Sequence, residues 1–563
     1  MRFQRITQTI TLILFLGLFL LAATPFPEGL GVDLFLRLDP LVALGTVLAA
    51  RDFQVFLLPG FILLASALLF GRVFCGHICP MGTTLDVLER TAKTSRKSTT
   101  KTNSREASGA YRAWKHLCLL VILAGAVGGV SLVFVGSPLS LVTRFYALVL
   151  HPLALLLLDT GLGAVSPLVS HTRLADLAYV QVDQRVFATG AFVAAFFVAM
   201  TALAHVQPRF WCRNLCPTGA LFGLCSRAPR VRRTVNDSCT RCGRCIRECP
   251  TAAISEDPTR TDHAECIVCL HCVSICPESA ISFGTGRIVA EKPAAKVDLS
   301  RRRVVLAMGS GLATAGLIRT GIHQPIPKVR DRPLRDGELI RPPGAVPEAA
   351  FLERCIRCGE CMKACPTNTL QPIWLMAGLE GIFSPIILPR LGPCAVGCNV
   401  CGQVCPTGAI RNLPLIEKRH AKVGTAWIAR ERCLVWEQDK KCLVCDEVCP
   451  YGAVAFRPVE GKKNAVPFVI GTKCTGCGWC ESKCPVDGPS AIRVGIAGEI
   501  RLDRGSYTEK AREYGFEFKI KETPPGGVAP GTFDAPESAP GIVPGERAPQ
   551  ASDAELPPGI ILK

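Results

Sequence analysis

The sequence has few charged residues for its length. Charged residues make up 20% of the chain, while hydrophobic residues make up 49% and the mean hydropathy is +0.30. Soluble domains average roughly 25% charged residues, so this composition excludes a disordered chain and disfavours a purely soluble one. A Cys-x-x-Cys-His motif, a P-loop and a glycine fingerprint in a strand–helix context are also missing. Covalent c-type haem is therefore excluded, and no nucleotide site is indicated.

Acidic residues are the scarcer charge, since 64 Lys and Arg exceed 46 Asp and Glu by 18. Such an excess can indicate a nucleic-acid partner, but the thirty cysteines offer another explanation. Six [4Fe–4S] clusters held by thiolates would offset about twelve positive charges. We therefore expect no nucleic acid among the partners, and the 563 residues allow several domains.

The cysteines are grouped. Twenty-four form six groups of four that each end in Cys-Pro, and two Cys-x3-Cys-Pro pairs take four more. Cys118 and Cys225 remain, and we expect both to be inert thiols.

Apolar stretches predict a helical membrane domain over residues 1–228. Four of them approach the ~20 residues that a membrane-spanning helix needs: Ile6–Ala23, Phe53–Phe70, Leu117–Val135 and Val186–Ala204. A shorter run, Phe145–Leu158, contains His151-Pro152 and is interpreted as re-entrant or interfacial. A fifth, linking helix is expected at Val304–Ile318.

Loop charges predict the orientation, because Lys and Arg concentrate on the cytoplasmic side. Residues 72–115 hold nine basic against three acidic residues, and residues 206–303 hold sixteen against nine. The alternate loops, 25–52 and 136–185, hold two against four and three against three. The N-terminus is therefore expected in the cytoplasm, in a bacterial inner membrane.

The two Cys-x3-Cys-Pro pairs follow the second and fourth predicted spans. They are Cys75 with Cys79 and Cys212 with Cys216, and both precede the sequence Pro-x-Gly. We expect all four thiols at the cytoplasmic surface, where they could hold a seventh cluster or act as redox thiols. The alternative is a purely structural role at helix ends.

The first two groups of four have the spacing of bacterial two-cluster ferredoxins, C-x2-C-x2-C-x3-C-P, in which the fourth cysteine binds the other cluster. We assign one [4Fe–4S] cluster to Cys239, Cys242, Cys245 and Cys276, and a second to Cys249, Cys266, Cys269 and Cys272. A zinc ribbon would show separated Cys-x-x-Cys pairs instead. This predicts an α+β ferredoxin-like domain over 229–298.

Four more groups repeat at about 40 residues and predict four further clusters in a second α+β domain, 351–520. Their members are Cys355, Cys358, Cys361 and Cys365; Cys394, Cys398, Cys401 and Cys405; Cys433, Cys442, Cys445 and Cys449; and Cys474, Cys477, Cys480 and Cys484. The spacing leaves open which motif shares clusters with which. Disulfides are the rival interpretation for an exported domain.

Residues 299–322 resemble a twin-arginine export signal, with Arg301-Arg302-Arg303 before an apolar stretch. The alternative is a stop-transfer helix with a basic flank. Residues 323–350 are proline-rich and predict a linker, and residues 521–563 have the composition of a disordered tail. The second ferredoxin-like domain is therefore expected in the periplasm.

These motifs together resemble two families. Residues 1–298 resemble NapH-type membrane ferredoxins, and the later part resembles NapG- or MauM-type periplasmic ferredoxins with four cluster motifs. The resemblance implies a quinol dehydrogenase-type electron-transfer protein of anaerobic respiration. It would take electrons from the quinone pool and pass them to a periplasmic nitrate or nitrous-oxide reductase or a cytochrome.

A quinol site needs proton acceptors beside an apolar cleft. The weak candidates are His77, His151, Asp159 and His171, whereas His271 lies inside a cluster motif. Two alternatives stay open. Related membrane ferredoxins supply electrons during maturation of methylamine dehydrogenase or cytochrome oxidase, and a third function is a ferredoxin-driven membrane reductase.

Overall fold

The computed structural model describes residues 2–23, 31–93, 106–169, 182–203, 207–285, 299–319, 328–329, 332–333, 339–375, 378–520 and 560–561. His171, twelve residues of the predicted linker 323–350 and nearly all of the predicted tail lie outside the described residues. Residues 339–350, predicted as linker, instead form part of the second cysteine-rich domain, with Ala345 and Val346 in its core.

The amino-terminal part is helical. Its helices are α1 (Arg2–Leu21), α2 (Leu34–Arg37), α3 (Pro40–Ala50), α4 (Leu58–Phe70), α5 (Pro80–Lys93), α6 (Glu106–Val127), α7 (Val133–Gly136), α8 (Pro138–Phe145), α9 (His151–Val169), α10 (Gly190–Ala202) and α11 (Pro217–Cys225). A 3₁₀ turn covers Val55–Leu57, and wider π-helical turns cover Phe74–Ile78, Tyr146–Leu150 and Trp211–Leu215. Burial of apolar side chains from most of these helices forms one core, which is the main stabilising term.

The first cysteine-rich domain follows directly. It contains β1 (Val231–Val235), α12 (Arg244–Arg247), α13 (His271–Ser274) and β2 (Ile281–Thr285). The two strands pair antiparallel, from Val231 opposite Thr285 to Val235 opposite Ile281. The register closes the domain by bringing its two ends together.

A single helix then leads on to the rest of the chain. Helix α14 (Arg301–Arg319) packs along α6, with Gly311 against Val121 and Ala315 against Gly128. A Cβ atom on Gly311 would lie 2.5 Å from the carbonyl oxygen of Val121, so the close approach depends on glycine. The contacts advance together along both helices, which are therefore parallel. A short hairpin, β3 (Lys328–Val329) with β4 (Arg332–Pro333), comes next.

The second cysteine-rich domain is built from short elements. They are α15 (Glu348–Arg354), α16 (Glu360–Ala364), β5 (Leu370–Pro372), α17 (Gly378–Gly381), β6 (Pro385–Ile387), α18 (Val400–Gln403), α19 (Leu415–His420), β7 (Thr425–Ile428), α20 (Leu434–Gln438), α21 (Val444–Glu447), β8 (Val454–Arg457), β9 (Val466–Ile470), α22 (Trp479–Ser482), β10 (Ile492–Gly495), α23 (Tyr507–Glu513) and β11 (Ile560–Ile561), with a 3₁₀ turn at Arg430–Arg432. Strand β5 pairs with β6, β7 with β10, and β8 with β9, all antiparallel, while β11 adds parallel to β9.

The helix lengths correct part of the predicted membrane pattern. Among the described residues, two segments are long and apolar enough to cross a membrane, Phe3–Leu21 and Pro138–Ser166. Residues 53–70 and 186–204 form shorter apolar helices, Val55–Phe70 and Gly190–Ala202. The helix that covers Leu117 ends at Val127, before the left-handed Gly129, so the predicted stretch to Val135 is not one helix.

The structure extends Phe145–Leu158 into a continuous apolar helix, Pro138–Ser166, so the segment is longer than the sequence indicated. Its re-entrant or interfacial placement stays a prediction. Pro152 lacks the N–H that would bond back one turn, which normally interrupts a helix. The π-helical turn Tyr146–Leu150 directly precedes it and absorbs the mismatch.

The two cysteine-rich domains lie towards opposite ends of α1, the first through Gly76 and the second by direct contact. Near its start, Gln8 donates a hydrogen bond to the carbonyl oxygen of Gly76, which lies against the first domain. At its end, the carbonyl of Ala22 accepts a hydrogen bond from Lys363 of the second domain (2.9 Å). Fourteen residues of helix separate these contacts, or about 21 Å.

Candidate functional site

Two π-helical turns of five residues present the paired cysteines. Phe74–Ile78 and Trp211–Leu215 each close with an N–H to C=O bond of 2.9 Å, from Cys79 to Phe74 and from Cys216 to Trp211. A helix begins directly afterwards at Pro80 or Pro217, where proline has no hydrogen bond to lose. The two segments therefore have the same local geometry.

The four thiols of these turns come together. Burial raises the pKa of Cys79, and the neighbouring Cys75 and Cys212 raise it further. Burial also raises the pKa of Cys216, with further contributions from Cys212 and Cys75. Such mutual effects require proximity, so the fold assembles one four-thiol site from two distant segments.

Two buried arginines border that site. Arg209 donates to Asp86 (2.7 Å from Nε to Oδ1), and Arg72 donates to Glu265 (3.1 Å). Burial opposes the charge on Arg72, but Cys75, Glu265 and Cys216 raise its pKa above the ordinary value. Burial raises the pKa of Cys212, but Arg209 and Arg72 oppose that effect, because their positive charges favour the thiolate.

The first cysteine-rich domain brings its eight motif cysteines into two cavities in the crossed arrangement that the spacing predicts. One cavity is lined by Cys239, Cys242, Cys245 and Cys276, and the other by Cys249, Cys266, Cys269 and Cys272. We name these site A and site B, and the four thiols of the π-helical turns (Cys75, Cys79, Cys212 and Cys216) site C.

The second domain resolves the pairing that the sequence left open. Its first motif exchanges the last cysteine with the second motif, and the third exchanges it with the fourth. Site D is lined by Cys355, Cys358, Cys361 and Cys405; site F by Cys449, Cys474, Cys477 and Cys480; and site G by Cys433, Cys442, Cys445 and Cys484. Site E consists of Cys365, Cys394, Cys398 and Cys401. Burial raises the pKa of Cys401, and the neighbouring Cys398, Cys394 and Cys365 raise it further.

A repeated backbone conformation shapes the regular motifs. In each, the second residue after the first cysteine and the residue after the second cysteine are left-handed. In site D these are Arg357 (φ 54°) and Gly359 (φ 86°), and in site B they are Val268 (φ 53°) and Leu270 (φ 59°). Successive turns of this kind can direct amide N–H groups into a concavity suited to an anion. Non-glycine residues rarely adopt this conformation, so the strain marks a functional loop.

Backbone amides also point at the sulfur atoms. Ala253 donates to Cys249 (3.3 Å), Ala453 to Cys449 (3.3 Å) and Ala426 to Cys474 (3.4 Å). Gly219 does the same for Cys216 in site C (3.3 Å). Hydrogen bonds to cysteine sulfur are among the features that set iron–sulfur potentials.

The donor sets fit [4Fe–4S] clusters better than the alternatives. Each site offers four thiols, and the cavities at A, B, D, F and G measure 330–420 Å³ with their open mouths included. No three His, Cys, Asp or Glu side chains in the described ranges lie close enough to bind a single metal ion, as structural zinc would require. All thirty cysteines are described and none forms a disulfide.

The weak quinol candidates have different surroundings. His77 is buried and uses both ring nitrogens, towards Thr7 (2.8 Å) and the carbonyl of Val268 (3.0 Å). His151 lies beside Phe19, and its buried Nδ1 has no hydrogen-bond partner among the described residues. Asp159 is half-buried on α9, and His171 is not described. The ring of His271 is part of the lining of site B.

Sequence reasoning missed three polar residues that the fold buries near these sites. Asp39 accepts hydrogen bonds from Ser137 and Thr218, next to site C. Arg144 and Arg357 contact each other beside site D. An arginine within an apolar run was the available signal for Arg144, because an ionisable residue in such a run is a functional hypothesis.

Comparison with known proteins agrees with these sites. Models described as "4Fe-4S binding domain" match residues 52–100, 188–236 and 351–371, and models described as "4Fe-4S dicluster domain" match 232–277 and 440–487. The first two matches contain the cysteines of site C.

Several relatives are ferredoxin-type proteins. The methylamine utilization ferredoxin-type protein MauM of Paracoccus denitrificans is 37% identical over 37% of this chain and 89% of its own length. The ferredoxin-type protein NapG of Escherichia coli is 36% identical over 36% of this chain and 87% of its own. The methylamine utilization ferredoxin-type protein MauN of Paracoccus denitrificans is 28% identical over 38% of this chain and 60% of its own.

Proposed function

The chain belongs to the family of NapG- and MauM-type ferredoxin proteins and is an iron–sulfur electron-transfer protein, and from this premise we propose that it oxidises quinol in a membrane and delivers the electrons to a periplasmic acceptor. The acceptor class is a nitrate or nitrous-oxide reductase or a cytochrome. The twenty-four cysteines of sites A, B, D, E, F and G would hold six [4Fe–4S] clusters. Site C would hold a seventh.

The observation that carries this proposal is the continuous order of the sites. Site B adjoins site C, since the pKa of Arg209 is influenced by both Cys212 and Cys269. Cys79 and Cys216 of site C share one apolar core with Cys358 of site D. Beyond D, the amide of Cys394 in site E donates to the carbonyl of Cys477 in site F (2.7 Å). When bound, clusters at these positions would exchange single electrons with their neighbours.

The membrane topology completes the proposal. The amino-terminal helices would cross the inner membrane four times, with α14 as a fifth crossing parallel to α6. The basic loops 72–115 and 206–303 favour the cytoplasm for sites A to C. The contacts at opposite ends of α1 support placing sites D to G on the periplasmic side. The Arg301–Arg303 segment would direct export of the second domain.

An aromatic cluster between α1 and the π-helical turn of 146–150 is the best-supported quinol position. Phe15 and Phe19 make edge contacts with Tyr146 at 5.6 and 6.2 Å, and Phe19 makes one with His151 at 6.3 Å. Apolar rings can hold a quinone headgroup, and the unpartnered His151 Nδ1 can accept a proton. π-Helical turns often occur at functional sites.

The test uses the full chain, purified without oxygen in detergent. Iron analysis should give about 28 atoms per chain, since each cubane contains four. A reduced menaquinol analogue should reduce the clusters, as followed by EPR, and a quinone-site inhibitor should block the reduction. Failure of quinol to reduce any cluster would overturn the proposal.

The quinol position has its own test. We expect His151→Gln to slow quinol-driven cluster reduction by about a hundredfold, the usual contribution of a positioned proton acceptor. Iron content should not change. His77→Gln is the matched control, because both nitrogens of His77 already have structural partners. If quinol-driven cluster reduction is slow in His77→Gln and normal in His151→Gln, the quinol site lies at the other end of α1.

A second function is favoured by the MauM and MauN relatives together with the apolar core shared by sites C and D. Electrons from a cytoplasmic low-potential donor could enter at site A and leave at site G, for the maturation of a periplasmic metalloenzyme or cofactor. Rapid reduction by such a donor, with none by quinol, would favour this function.

A further inference from the structure

Two buried arginines meet where the second cysteine-rich domain joins the helical part. Arg144 comes from α8 and Arg357 from the loop between Cys355 and Cys358. Arg144 is 5% exposed and Arg357 is 2% exposed. The two guanidinium groups therefore share one water-poor environment, in which like charges repel strongly.

The hydrogen bonds of both side chains go to neutral oxygen atoms. Arg144 donates to the carbonyls of Arg357 (2.7 Å) and Phe134 (3.0 Å). Arg357 donates to the carbonyl of Ser131 (3.1 Å) and to that of Glu380. These bonds fix the positions of the two charges without neutralising either one.

Both cations also face the same ring. The guanidinium carbon of Arg357 lies 3.9 Å from the centroid of Phe134, and that of Arg144 lies 5.7 Å from it. Arg144 is also 5.0 Å from the ring of Phe383. The negative face of an aromatic ring attracts cations, but it does not replace a counter-ion.

Neither arginine forms an ion pair with a carboxylate among the described residues. Glu380 attracts Arg357, but less strongly than Cys355 does. The groups of opposite charge acting on Arg144 are Cys358 and Cys355. A buried charge persists only when something compensates it. The negative charge that compensates Arg144 and Arg357 therefore lies at site D.

Other charges near site D occur in opposite pairs. Arg341 binds Glu348, and Arg354 binds Asp52 and Asp503. Glu360 is balanced by the neighbouring Lys363. The uncompensated charge beside site D is therefore that of Arg144 and Arg357 together.

The sites farther along the second domain have less positive charge beside them. Lys418 is buried next to site E, and Lys422 is buried next to Cys474 of site F. Arg185 also acts on Cys365 of site E, but Asp183 offsets its charge, so each of these sites has one uncompensated cation where site D has two. Positive charge favours the reduced, more negative form of a cluster.

We infer that Arg144 and Arg357 are positioning residues that raise the reduction potential of the cluster at site D above those of the other clusters in the second domain, making it the electron entry point. The assignment of site D as the entry point rests on the proposed quinol oxidation. Because one arginine comes from each partner surface, the potential is set only when the domain is docked.

The test is a redox titration of the full chain, with each cluster followed by EPR. In Arg144→Gln we expect the reduction equilibrium of one cluster to shift at least tenfold towards the oxidised form, which is 59 mV for one electron. The other clusters serve as internal references. Arg144→Lys keeps the charge and should restore most of the shift.

Arg354→Gln is the matched control, because Arg354 also joins the two parts but is ion-paired with Asp52 and Asp503. It should shift the site D potential much less than Arg144→Gln does, because water screens the partly exposed Asp52 and Asp503. If Arg144→Gln does not accumulate, Arg357→Gln supplies the same measurement from the other surface. Equal shifts in the Arg354 and Arg144 variants, or no shift in either arginine variant, would overturn the inference.

The two proposals fail separately. If quinol reduces no cluster but the site D potential still depends on Arg144, the quinol function is wrong and the charge assignment stands. If quinol reduces the clusters but the potential of site D does not change in either arginine variant, the quinol function stands and the inference is wrong.

Discussion

The two cysteine-rich domains dock on the helical part through equivalent loops. In each case the loop lies between the first two cysteines of one motif, Ile267-Val268 in site B and Ile356-Arg357 in site D. His77 contacts the carbonyl of Val268 in the first, and Ser140 donates to the carbonyl of Ile356 (2.7 Å) in the second. The cluster-binding loop is thus also the docking loop on both sides.

The two junctions differ in charge. At the first, Glu265 lies between Arg72 and Lys115, and Arg209 is paired with Asp86. At the second, Arg144 and Arg357 have no such partner among the described residues. One local fold can therefore serve an ion-paired junction and one in which two buried cations lack a carboxylate partner among the described residues. The backbone contacts are common to both junctions, so it is the charges that distinguish them.

The largest effect should come from removing site C, because this site lies between the two junctions. We expect Cys79→Ser to lower the iron content by about four atoms per chain and to abolish electron passage from sites A and B to the second domain. Iron analysis and stopped-flow reduction by a low-potential donor would measure both effects.

Cys118→Ser is the control for that change, since Cys118 belongs to none of the seven sites. Unchanged iron and unchanged electron passage in the Cys79 variant would mean that the paired motifs are structural.

The next largest effect should come from the ion-paired junction. Glu265→Gln leaves Arg72 and Lys115 buried without their carboxylate, a kind of change that costs about 3–5 kcal/mol. The first domain should then become accessible to limited proteolysis at the 229–285 segment. Glu256→Gln alters an exposed acid of the same domain and should have no effect. Equal protection of both variants would contradict the role of Glu265.

Low pH should also make the first domain accessible to limited proteolysis in the unmodified protein. Burial alone would raise the pKa of Glu265, but Lys115 and Arg72 outweigh it and lower the pKa to about 2. A lowered folded-state pKa gives stability that is present above the usual value near 4.5 and is lost as the pH falls towards 2. Protection of the first domain should therefore decline over that range, and Glu265→Gln should remove this dependence.

The sequence predicted the local features of these sites well. Motif spacing is set by how a short loop surrounds a cluster, so the crossed arrangement of Cys249 and Cys276 was accessible without a structure. The pairing of the four later motifs was not, because it depends on how β7 packs with β10 and β8 with β9. The helix through Phe145–Leu158 is longer than the apolar run indicates, because a π-helical turn compensates for Pro152, and nothing in the run predicts such a turn.

The smallest effect should come from the backbone contact at the second junction. Ser140→Ala removes a hydrogen bond between α8 and the carbonyl of Ile356, which typically costs about 1 kcal/mol. The same hydroxyl also accepts from Arg144 (3.3 Å), so a slight change in the site D potential should accompany the loss. Thermal unfolding and a redox titration would measure the two effects.

Thr143→Ala is a suitable control, because its buried hydroxyl, on the same helix, has no hydrogen-bond partner among the described residues. A larger shift in potential from Ser140→Ala than from Arg144→Gln would indicate that hydrogen bonding, and not charge, distinguishes the two junctions.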